Sequence, residues 1–484
     1  MADEIELKLE LSPVDAERIF ASKLFGENAK VAQLVSIYFD TSEKALAKAG
    51  FSLRIRRSGD TRIQTIKADG ASSAGLFART EWERPVENDV PVLDYATPLV
   101  TVLGDAAGDI IPQFEVRVER HKWLVEEDET TVEVVLDRGE AVSGDLFEPI
   151  CEIELELKLG DPAALFALAR KIDAIAPVRL GVVTKSERGY RLTDAKQVSA
   201  KADPIALNAE ISAAEAFQRI IESGIRQFRL NEALLLASRN PNALHQARVA
   251  IRRMRSAFSI FKPVIGEDGS GQRDELKWLA SVLGQARDLD VLLGRSSPGP
   301  LHDRIAAARN VVYDELFETL AGDRARVIML DVAHWLAQGR WADGNGGEVD
   351  GRLSARAFAA TALARFRRRI KRRGKGLAAV DDVTRHEVRK DAKKLRYASE
   401  FFASLFSRKR EQRRHERFLA ALEELQDGLG ALNDLATAPE VLKKFGFADD
   451  RDAAELLSDA SAKEKMLRRA EVAHEALFDT KKFW

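Results

Sequence analysis

Three kinds of feature are scarce in this 484-residue sequence, and each absence narrows its class. The single cysteine, Cys151, excludes an internal disulfide framework and makes a reducing compartment the expected setting. No stretch approaches the roughly 18 apolar residues of a membrane span, and residues 1–4 lack the apolar region of a secretory signal. Aromatic residues are only 7% of the chain and offer no stacking platform for nucleic-acid bases. We therefore expect a cytoplasmic protein that does not bind membranes, and nucleic-acid binding by its basic helices is the least favoured hypothesis.

Charge, by contrast, is abundant. Charged residues make up 31% of the chain and apolar residues 45%, which is typical of a soluble globular protein. The net charge of −2 conceals clusters of arginine and lysine in particular stretches. A chain of this length is too long for one hydrophobic core, so two or three domains are expected.

Strand patterns dominate residues 1 to about 195. The stretch Glu4–Leu11 alternates charged and apolar residues, which is typical of a strand with one polar face, and the pattern returns at Glu152–Leu159. Helices are predicted to begin at Pro13 and after Pro162. Further strands are predicted at 34–39, 51–57, 62–67, 80–86, 114–125, 131–137, 150–159 and 182–192. About eight strands at this density indicate an antiparallel sheet closed into a barrel.

The charged faces of these strands differ from one another in sign. For any one strand, the ordinary interpretation is a polar face in water. Across the set, however, carboxylates dominate the first and late strands, and bases dominate the middle ones. If the apolar faces lie outward beneath helices, the charged faces enclose a tunnel, where buried charges need partners. Clustered glutamate suits a hard divalent ion, and arginine with lysine suits phosphate, so the pattern indicates a site for a metal-bound polyphosphate.

Four stretches in this region carry a resemblance to a known family. In order, they are Glu4-x-Glu6-x-Lys8, the basic middle strands, Glu152-x-Glu154-x-Glu156, and Lys185-Ser-Glu-Arg188-Gly-Tyr190. Together they resemble the CYTH superfamily of triphosphate tunnel metalloenzymes. The resemblance implies an eight-stranded antiparallel tunnel that holds a triphosphate with basic residues and a divalent metal with glutamates. Activities in that family include inorganic, thiamine and RNA triphosphatase and a class of adenylate cyclase.

The resemblance also implies roles for individual residues. The metal carboxylates would be Glu4, Glu6, Glu152 and Glu154. The residues that bind the substrate phosphates would be Lys8, Arg54, Arg56, Lys67, Arg120, Lys185 and Arg188. The catalytic group would comprise Glu4, Glu6, Lys8, Glu133 and Asp137. Arg117 and Arg120 lie three positions apart and face opposite sides of a regular strand, and Arg120 is the one assigned here. The acids Glu81, Glu133, Asp137 and Glu156 could bind metal, orient water or pair with arginines.

The remainder of the chain has a helical period. Residues 196–210 read as a linker between a tunnel domain, 1–195, and a helical domain, 211–484. The helical domain repeats itself in halves of about 211–345 and 352–484. His245–Arg255 matches His386–Arg396, and Leu283–Leu289 matches Leu429–Leu435.

Each half of the repeat carries a basic stripe. His245, Arg248, Arg252 and Arg255 are spaced for one helix face, and the second half repeats the spacing. A solvated basic helix usually carries relieving acids, and like charges at this spacing are destabilising, so the recurring stripe indicates an anionic partner. The region resembles the CHAD domain, a helical repeat bundle that binds inorganic polyphosphate. The resemblance implies polyphosphate binding by His245, Arg248, Arg252, Arg253, Arg255, Arg287, His386, Arg389, Lys393, Lys394 and Arg396.

We therefore expect an α+β multidomain protein, in which an eight-stranded antiparallel β-barrel tunnel with flanking helices precedes an all-α two-fold helical repeat bundle. The expected activity is hydrolysis of inorganic triphosphate to phosphate and pyrophosphate with Mg²⁺ or Mn²⁺, alongside polyphosphate binding. One alternative is a non-catalytic protein that localises to polyphosphate, including polyphosphate granules. Another is a triphosphatase for an organic substrate such as thiamine triphosphate or a nucleotide.

Overall fold

The structure is a computed structural model. It describes residues 4–68, 72–73, 75–194, 197–339, 341, 347, 349–448, 450, 452–453 and 460–484. The chain forms two compact units, of which the first comprises Met1–Ala200 with Gly322–Gln338 and the second comprises Lys201–Ala321 with Gly339–Trp484. A segment from the middle of the helical sequence therefore belongs to the first unit.

The first unit is built on one antiparallel sheet. Its strands are β1 (Glu4–Glu10), β2 (Lys30–Asp40), β3 (Phe51–Ser58), β4 (Thr61–Ala68), β5 (Ser72–Ser73), β6 (Leu76–Arg79), β7 (Glu81–Pro85), β8 (Ile111–Glu127), β9 (Thr130–Ser143), β10 (Leu146–Leu159) and β11 (Arg179–Leu180). The strand order is β5-β6-β1-β10-β9-β8-β2-β3-β4-β7, and β11 pairs with β1 outside this path.

The two ends of the sheet meet in a single stretch of chain. Strand β6 pairs with β1, where Ala78 lies opposite Ile5, and β7 pairs with β4, where Glu81 lies opposite Lys67. Only Thr80 separates β6 from β7. The sheet therefore curls until β1 and β4 share one neighbouring segment, and the predicted curled antiparallel architecture is confirmed.

Helices flank this sheet and make up the second unit. In chain order they are α1 (Pro13–Ser22), α2 (Ala45–Lys48), α3 (Leu99–Leu103), α4 (Ala163–Asp173), α5 (Lys185–Thr193), α6 (Ala213–Ser238), α7 (Pro241–Ile260), α8 (Lys262–Ile265), α9 (Ser270–Arg295), α10 (Pro300–Ala321), α11 (Asp323–Gln338), α12 (Ala355–Arg373), α13 (Asp382–Phe401), α14 (Lys409–Lys444) and α15 (Ala460–Asp479). None of the described helices combines the length and hydropathy that crossing a bilayer requires.

Apolar side chains of the sheet point outward, beneath the helices. Leu9 of β1 and Leu155 of β10 are fully buried, and α4 packs over both strands with its own buried Phe166. Around β3, Leu53 packs in one cluster with Leu99 of α3. Burial of this apolar surface, at about 25 cal/mol per Å², holds the helices on the outside of the sheet. The polar faces of the strands are consequently left for the interior.

The strand predicted at 182–192 is wrong, because this stretch forms helix α5. Thr184 caps the helix in a capping box with Glu187, in which each side chain accepts from the other residue's backbone N–H. Gly189 lets the helix lie directly on Phe114, since a Cβ there would come within 2.0 Å of the ring. The apolar run before Thr184 suggested a strand, but the capping box and the packing on Phe114 favour the helix.

Helix α11 lies against α4 and β11 within the first unit. Its Asp331 accepts a hydrogen bond of 2.6 Å from Arg170, and the His334 ring stacks on Phe166 with centroids 4.9 Å apart. Arg326, which is only 5% exposed, lies 3.4 Å from Asp173. Because β11 pairs with β1, α11 supports an edge of the sheet from outside.

The second unit is all-helical, as predicted, and its two halves use matching helices. Helices α7 and α13 are each 20 residues long and end at equivalent caps, Phe261 and Phe402. The rings of those two caps lie 5.8 Å apart, and Phe217 and Phe358 pack on Phe261 at 5.2 and 4.6 Å. Aromatic packing thus joins the two halves, which sets α7 and α13 side by side.

Candidate functional site

The inner face of the sheet surrounds a cavity of about 390 Å³. Among the described residues of its lining, Val135 is the one aliphatic side chain. The basic side chains of the lining are Lys8, Arg54, Arg56, Lys67, Arg120, Lys122, Lys158 and Lys185. The acidic ones are Glu6, Glu81, Glu83, Glu133, Glu154 and Glu156. The cavity is therefore a highly charged compartment inside a sheet.

At one end of the cavity, carboxylates and ammonium groups form a compact buried cluster. The Lys8 Nζ donates to one oxygen each of Glu152 and Glu154, at 2.9 and 2.6 Å. The Lys185 Nζ donates to the same two oxygens at 2.5 and 2.8 Å, and lies 2.7 Å from Asp137. Burial would lower the pKa of Lys185, but these three carboxylates raise it above its ordinary value.

Arg120 completes this cluster from β8. Its guanidinium donates to both carboxylate oxygens of Asp137, at 2.8 and 2.6 Å, from the directly opposite position on the neighbouring strand. Burial would raise the pKa of Glu152 and of Glu154, but Lys185 and Lys8 hold both below the ordinary value. We call these six residues, Lys8, Arg120, Asp137, Glu152, Glu154 and Lys185, the compensated cluster. Three cations balance three anions there, which fixes Lys8 and Lys185 at the cavity edge.

Arg54 and Arg56 form a second part of the cavity, in which two guanidinium groups lie side by side. The Arg54 guanidinium reaches the Tyr38 hydroxyl at 3.4 Å, and that of Arg56 lies 3.8 Å from Glu83. Among the described residues, the buried Nε of each arginine has no hydrogen-bond partner. Repulsion from Arg54 and burial lower the pKa of Arg56 to about 10. This pair has the donors and the excess positive charge that a phosphate group would satisfy.

A row of carboxylates lines one wall of the cavity, on three neighbouring strands. Glu6 of β1 lies opposite Glu156 of β10, which lies opposite Glu133 of β9. Like charges directly opposite on neighbouring strands are destabilising, and Lys158, Lys122 and Lys8 offset this repulsion by pairing with Glu156, Glu133 and Glu6. A hard divalent ion, which prefers carboxylate oxygens, fits this row together with Glu154.

The other candidate metal group is less suited to an ion. Asp137, Glu152 and Glu154 each place one oxygen within 4.8 Å of the others. Each of the three, however, already accepts at least one hydrogen bond from Lys8, Lys185 or Arg120, although the buried Oε2 of Glu152 has no hydrogen-bond partner among the described residues. An ion at their centre would have to displace two ammonium groups. The row of Glu6, Glu156 and Glu133 lines the cavity, whereas Asp137 and Glu152 are fully buried, so the row is the more accessible donor set.

The four predicted metal carboxylates are placed differently. Glu6 and Glu154 line the cavity. Glu152 is fully buried behind Lys8 and Lys185 and does not line it. The side chain of Glu4 lies outside the described residues, although its backbone pairs with β6. Of the other two predicted catalytic acids, Glu133 lines the cavity, and Asp137 is fully buried in the compensated cluster.

Most of the predicted phosphate-binding residues line the cavity. Those that line the cavity are Lys8, Arg54, Arg56, Lys67, Arg120 and Lys185. Arg188 does not line it, because its guanidinium donates to Glu148 and Glu10 at 2.7 and 2.6 Å. The structure adds two cations that the sequence analysis missed, Lys122 and Lys158. Each lies two positions along a strand from a residue already assigned to the inner face. The alternation of the strand therefore predicts that both also face the cavity.

Basic side chains of the second unit converge from both repeat halves. We call His245, Arg248, Arg252, Arg287, Arg389 and Lys393, which come from α7, α9 and α13, the central basic cluster. Burial and the cations Arg389 and Arg252 lower the pKa of Lys393 to about 7. Burial together with Arg287, Arg252 and Arg248 likewise lowers the pKa of His245. The buried Nε atoms of Arg252 and Arg389 have no hydrogen-bond partner among the described residues.

The remaining predicted polyphosphate-binding residues lie in other environments. Arg253 and Arg396 both donate to Glu400, at 2.9 and 2.8 Å. His386 forms a 3.0 Å hydrogen bond with Asn433. The Lys394 Nζ lies 6.0 Å from the centre of a phenylalanine ring on α12, and burial lowers the pKa of Arg255. The predicted stripe thus divides into clustered cations and cations with other partners.

Comparison with known proteins identifies both units. Residues 2–190 match the family model of the CYTH domain, and residues 219–443 match that of the CHAD domain. An inorganic triphosphatase of Haemophilus influenzae is 31% identical over 196 residues, which cover 40% of this chain and 55% of that protein. An uncharacterized protein of Mycobacterium tuberculosis is 27% identical over 289 residues, 55% of this chain and 53% of that protein. The chain thus spans about half the length of these curated relatives.

One solved structure resembles the helical part. It is the CHAD domain from the plant Ricinus communis, with 25% sequence identity and a TM-score of 0.49. The match covers 58% of this chain and 97% of that one.

Proposed function

The chain contains a CYTH domain followed by a CHAD domain, and we propose that it hydrolyses inorganic triphosphate in the barrel cavity and binds polyphosphate on its helical unit. The observation that supports the first part is that Arg54 and Arg56, whose buried Nε donors have no partner among the described residues, share one polar cavity with a carboxylate row. An anionic substrate would neutralise the two arginines, and a divalent cation would neutralise the carboxylate row. The similarity to the inorganic triphosphatase of Haemophilus influenzae supports the same substrate.

In the proposed reaction, water attacks the terminal phosphorus, the bond to the bridging oxygen breaks, and pyrophosphate leaves. Such transfers are catalysed mainly by positioning and by neutralising charge on the oxygens. Arg54, Arg56 and Lys67 would bind phosphate oxygens and offset the charge that builds on the leaving pyrophosphate. Lys8 and Lys185, which the compensated cluster holds in place, would contact the substrate from the opposite wall. Their fixed positions mean that little reorganisation is needed on binding.

The carboxylates of the cavity would bind the metal and orient water. Glu6, Glu154, Glu156 and Glu133 would hold Mg²⁺ or Mn²⁺, since all offer hard oxygen donors. When bound, the ion would supply Lewis-acid polarisation of the phosphate and a water with a lowered pKa. Glu81, whose carboxylate lies 3.1 Å from Lys67, would orient the attacking water or keep Lys67 in position.

Inorganic triphosphate fits this cavity better than a nucleotide or thiamine triphosphate. The described lining contains Val135 and the Tyr38 ring but no apolar slot for a base or a thiazole. Ligand pockets for organic groups are usually lined by apolar and aromatic side chains. The charge and the small volume of the cavity match a compact polyanion instead.

A substrate panel tests the activity. With magnesium or manganese, the purified full-length protein should release phosphate from tripolyphosphate far faster than from ATP, thiamine triphosphate or long-chain polyphosphate. Glu6→Gln and Glu4→Gln should abolish this release, whereas Glu115→Gln, which changes an exposed partner of Arg117, should not. Full activity in the Glu6→Gln variant, or equal turnover of ATP, would rule out the assignment.

The central basic cluster supports the second part of the proposal. Burial and Arg252 of the first half lower the pKa of Arg389 and Lys393 in the second half, and buried Nε donors of Arg252 and Arg389 lack partners among the described residues. Such a cluster is stabilised by a polyanion. Long-chain polyphosphate should be retained by the wild type and lost in Arg252→Gln/Lys393→Gln. If polyphosphate binds but no triphosphate is hydrolysed, the protein is a binding module only.

A further inference from the structure

A second strongly basic surface lies on the helical unit, between the two matched blocks of the second repeat half. We call it the outer basic face, and its residues are Arg408, Lys409, Arg410, Arg413, Arg414 and Arg417. All except Arg414 are exposed, and all precede or lie in the first turns of α14. We propose that the outer basic face is a second polyphosphate-binding surface, which holds the continuation of a long chain bound at the central basic cluster. This inference rests on the proposed polyphosphate binding.

The charge of this face works against the stability of the helix. Arg410, Arg413, Arg414 and Arg417 recur at i, i+3, i+4 and i+7, so like charges are neighbours on one side of α14. Cations in the first turns of a helix also oppose its dipole. Across the part of the chain that the structure describes, none of the six side chains forms a salt bridge with a carboxylate, although Glu411 accepts a hydrogen bond from the Arg408 backbone N–H. A structural role would predict compensation by acids, whereas a polyanion site predicts this excess of cations.

A neighbouring helix in the same unit shows the compensated alternative. Helix α15 packs along α14 and also carries exposed cations. There, Arg468 pairs with Glu464 at 3.1 Å and Arg469 pairs with Glu424 of α14 at 3.2 Å. These two solvated arginines of the unit therefore have acidic partners. The outer basic face departs from that pattern.

The outer basic face shares one continuous helix with the edge of the central basic cluster. Asp434 acts on the pKa of Lys393, and Asn433 bonds to His386, so this end of α14 lies beside the cluster. Arg413 precedes Asn433 by 20 residues, which corresponds to about 30 Å along an α-helix. A long polyphosphate chain can bind two sites held at a fixed distance by one helix, and the second contact then adds avidity.

Single-stranded nucleic acid fits this face less well. Proteins that bind it combine basic grooves with aromatic side chains for base stacking. The one ring within 408–417 is that of His415, which packs on Phe483 at 4.7 Å and bonds to the Ser399 carbonyl at 2.9 Å. That ring is engaged within the fold. A polyanion without bases matches the face better.

The test compares three variants of the full-length protein by their affinity for polyphosphate, without divalent metal. The basic-face variant is Lys409→Gln/Arg410→Gln/Arg413→Gln/Arg417→Gln. The matched control removes as many exposed cations from α15, as Lys463→Gln/Lys465→Gln/Arg468→Gln/Arg469→Gln. The third is the central-cluster variant Arg252→Gln/Lys393→Gln. The probes are long-chain polyphosphate, a short-chain polyphosphate that cannot span α14, and a single-stranded RNA.

We expect the basic-face variant to bind the long chain at least about tenfold more weakly and the short chain as tightly as the wild type does. Its plot of log affinity against log salt for the long chain should be shallower by about 3, because four contacts to a single-stranded polyanion are removed. The α15 control should match the wild type. Thermal melting should be unchanged or slightly higher, since repulsion within α14 is relieved.

Other outcomes separate this inference from the function on which it rests. If the central-cluster variant loses both chains while the basic-face variant keeps both, the outer basic face is not a polyphosphate site. If the α15 control weakens long-chain binding equally, the effect is one of net charge and the inference fails. If the basic-face variant loses only RNA, the surface belongs to nucleic acid. If the wild type binds neither chain, the proposed polyphosphate binding itself is overturned.

Discussion

The compensated cluster of the barrel and the central basic cluster of the helical unit handle charge in opposite ways. In the barrel, Lys185 has three carboxylates within 2.8 Å, which raise its pKa above the ordinary value. In the helical unit, burial and the cations Arg389 and Arg252 lower the pKa of Lys393 to about 7. One lysine is held charged by its surroundings, and the other is pushed toward the neutral form.

This difference distinguishes charged residues that stabilise the fold from charged residues that bind a ligand. A buried cation with acidic partners is part of the fold, and removing a partner leaves an uncompensated charge. A buried cation that is surrounded by other cations destabilises the fold until an anion binds. Arg56 resembles the helical cluster in this respect although it lies in the barrel, because repulsion from Arg54 and burial lower its pKa to about 10. The barrel therefore contains both kinds of site.

The largest effect is expected from Glu152→Ala. Glu152 is fully buried and accepts from both Lys8 and Lys185, so its removal breaks a buried ion pair. We expect the free energy of unfolding of the first unit to fall by about 3–5 kcal/mol in denaturant titrations. The control is Glu156→Ala, whose partner Lys158 is 40% exposed, with a loss below about 1 kcal/mol. Equal losses in the two variants would mean that the compensated cluster does not stabilise the fold more than an exposed ion pair does.

The next largest effect is expected from Arg54→Met, and it should fall on activity rather than stability. Loss of a charge-stabilising donor typically lowers turnover by about 10²- to 10³-fold, and we expect kcat/KM for tripolyphosphate to fall by that factor. Stability should hold or increase, because Arg56 loses a repulsive neighbour. Arg57→Met is the matched control, since that neighbouring side chain pairs with Asp89 instead. Comparable activity loss in both variants would contradict a specific role for Arg54.

A smaller effect concerns the pH dependence of polyphosphate binding. A bound polyanion favours charged Lys393, so its pKa rises on binding. Below about pH 7 the side chain is already charged, but above it binding takes up a proton and weakens by up to about tenfold per pH unit. Lys393→Arg, which stays charged, should flatten this dependence, whereas Lys390→Arg, whose side chain pairs with Glu387, should not. Calorimetry in buffers of different ionisation enthalpy measures the uptake, and its absence would contradict the prediction.

The sequence predicted the architecture well where alternation of residues decides it. The outward apolar face and inward charged face of β1 and β10 follow from period two alone. Helix α5 was missed although the capping box of Thr184 is local in sequence. The packing of Gly189 on Phe114, which also stabilises the helix, joins residues that are far apart in sequence.

The sequence could not separate compensated from uncompensated charges. Glu152 and Glu154 belong to the same alternating face, but the pairing of β10 with β1 and β9 puts Glu152 behind two lysines. Arg188 fits the same basic motif as Lys185, and its place on the helix directs it to Glu148 instead. Such distinctions depend on which strands and helices become neighbours, and one-dimensional spacing does not contain that information.

The smallest effect is expected from Arg396→Gln, and it tests whether the stripe or the cluster binds polyphosphate. Arg396 belongs to the repeated stripe, but its guanidinium donates to Glu400 at 2.8 Å, and Glu400 also accepts from Arg253. Because its charge is already compensated, its loss should change polyphosphate affinity by less than about 1 kcal/mol, as for other partly exposed pairs. Arg252→Gln, at a clustered position, should weaken binding far more in the same titration. Equal effects would show that the whole stripe, and not the central basic cluster, forms the site.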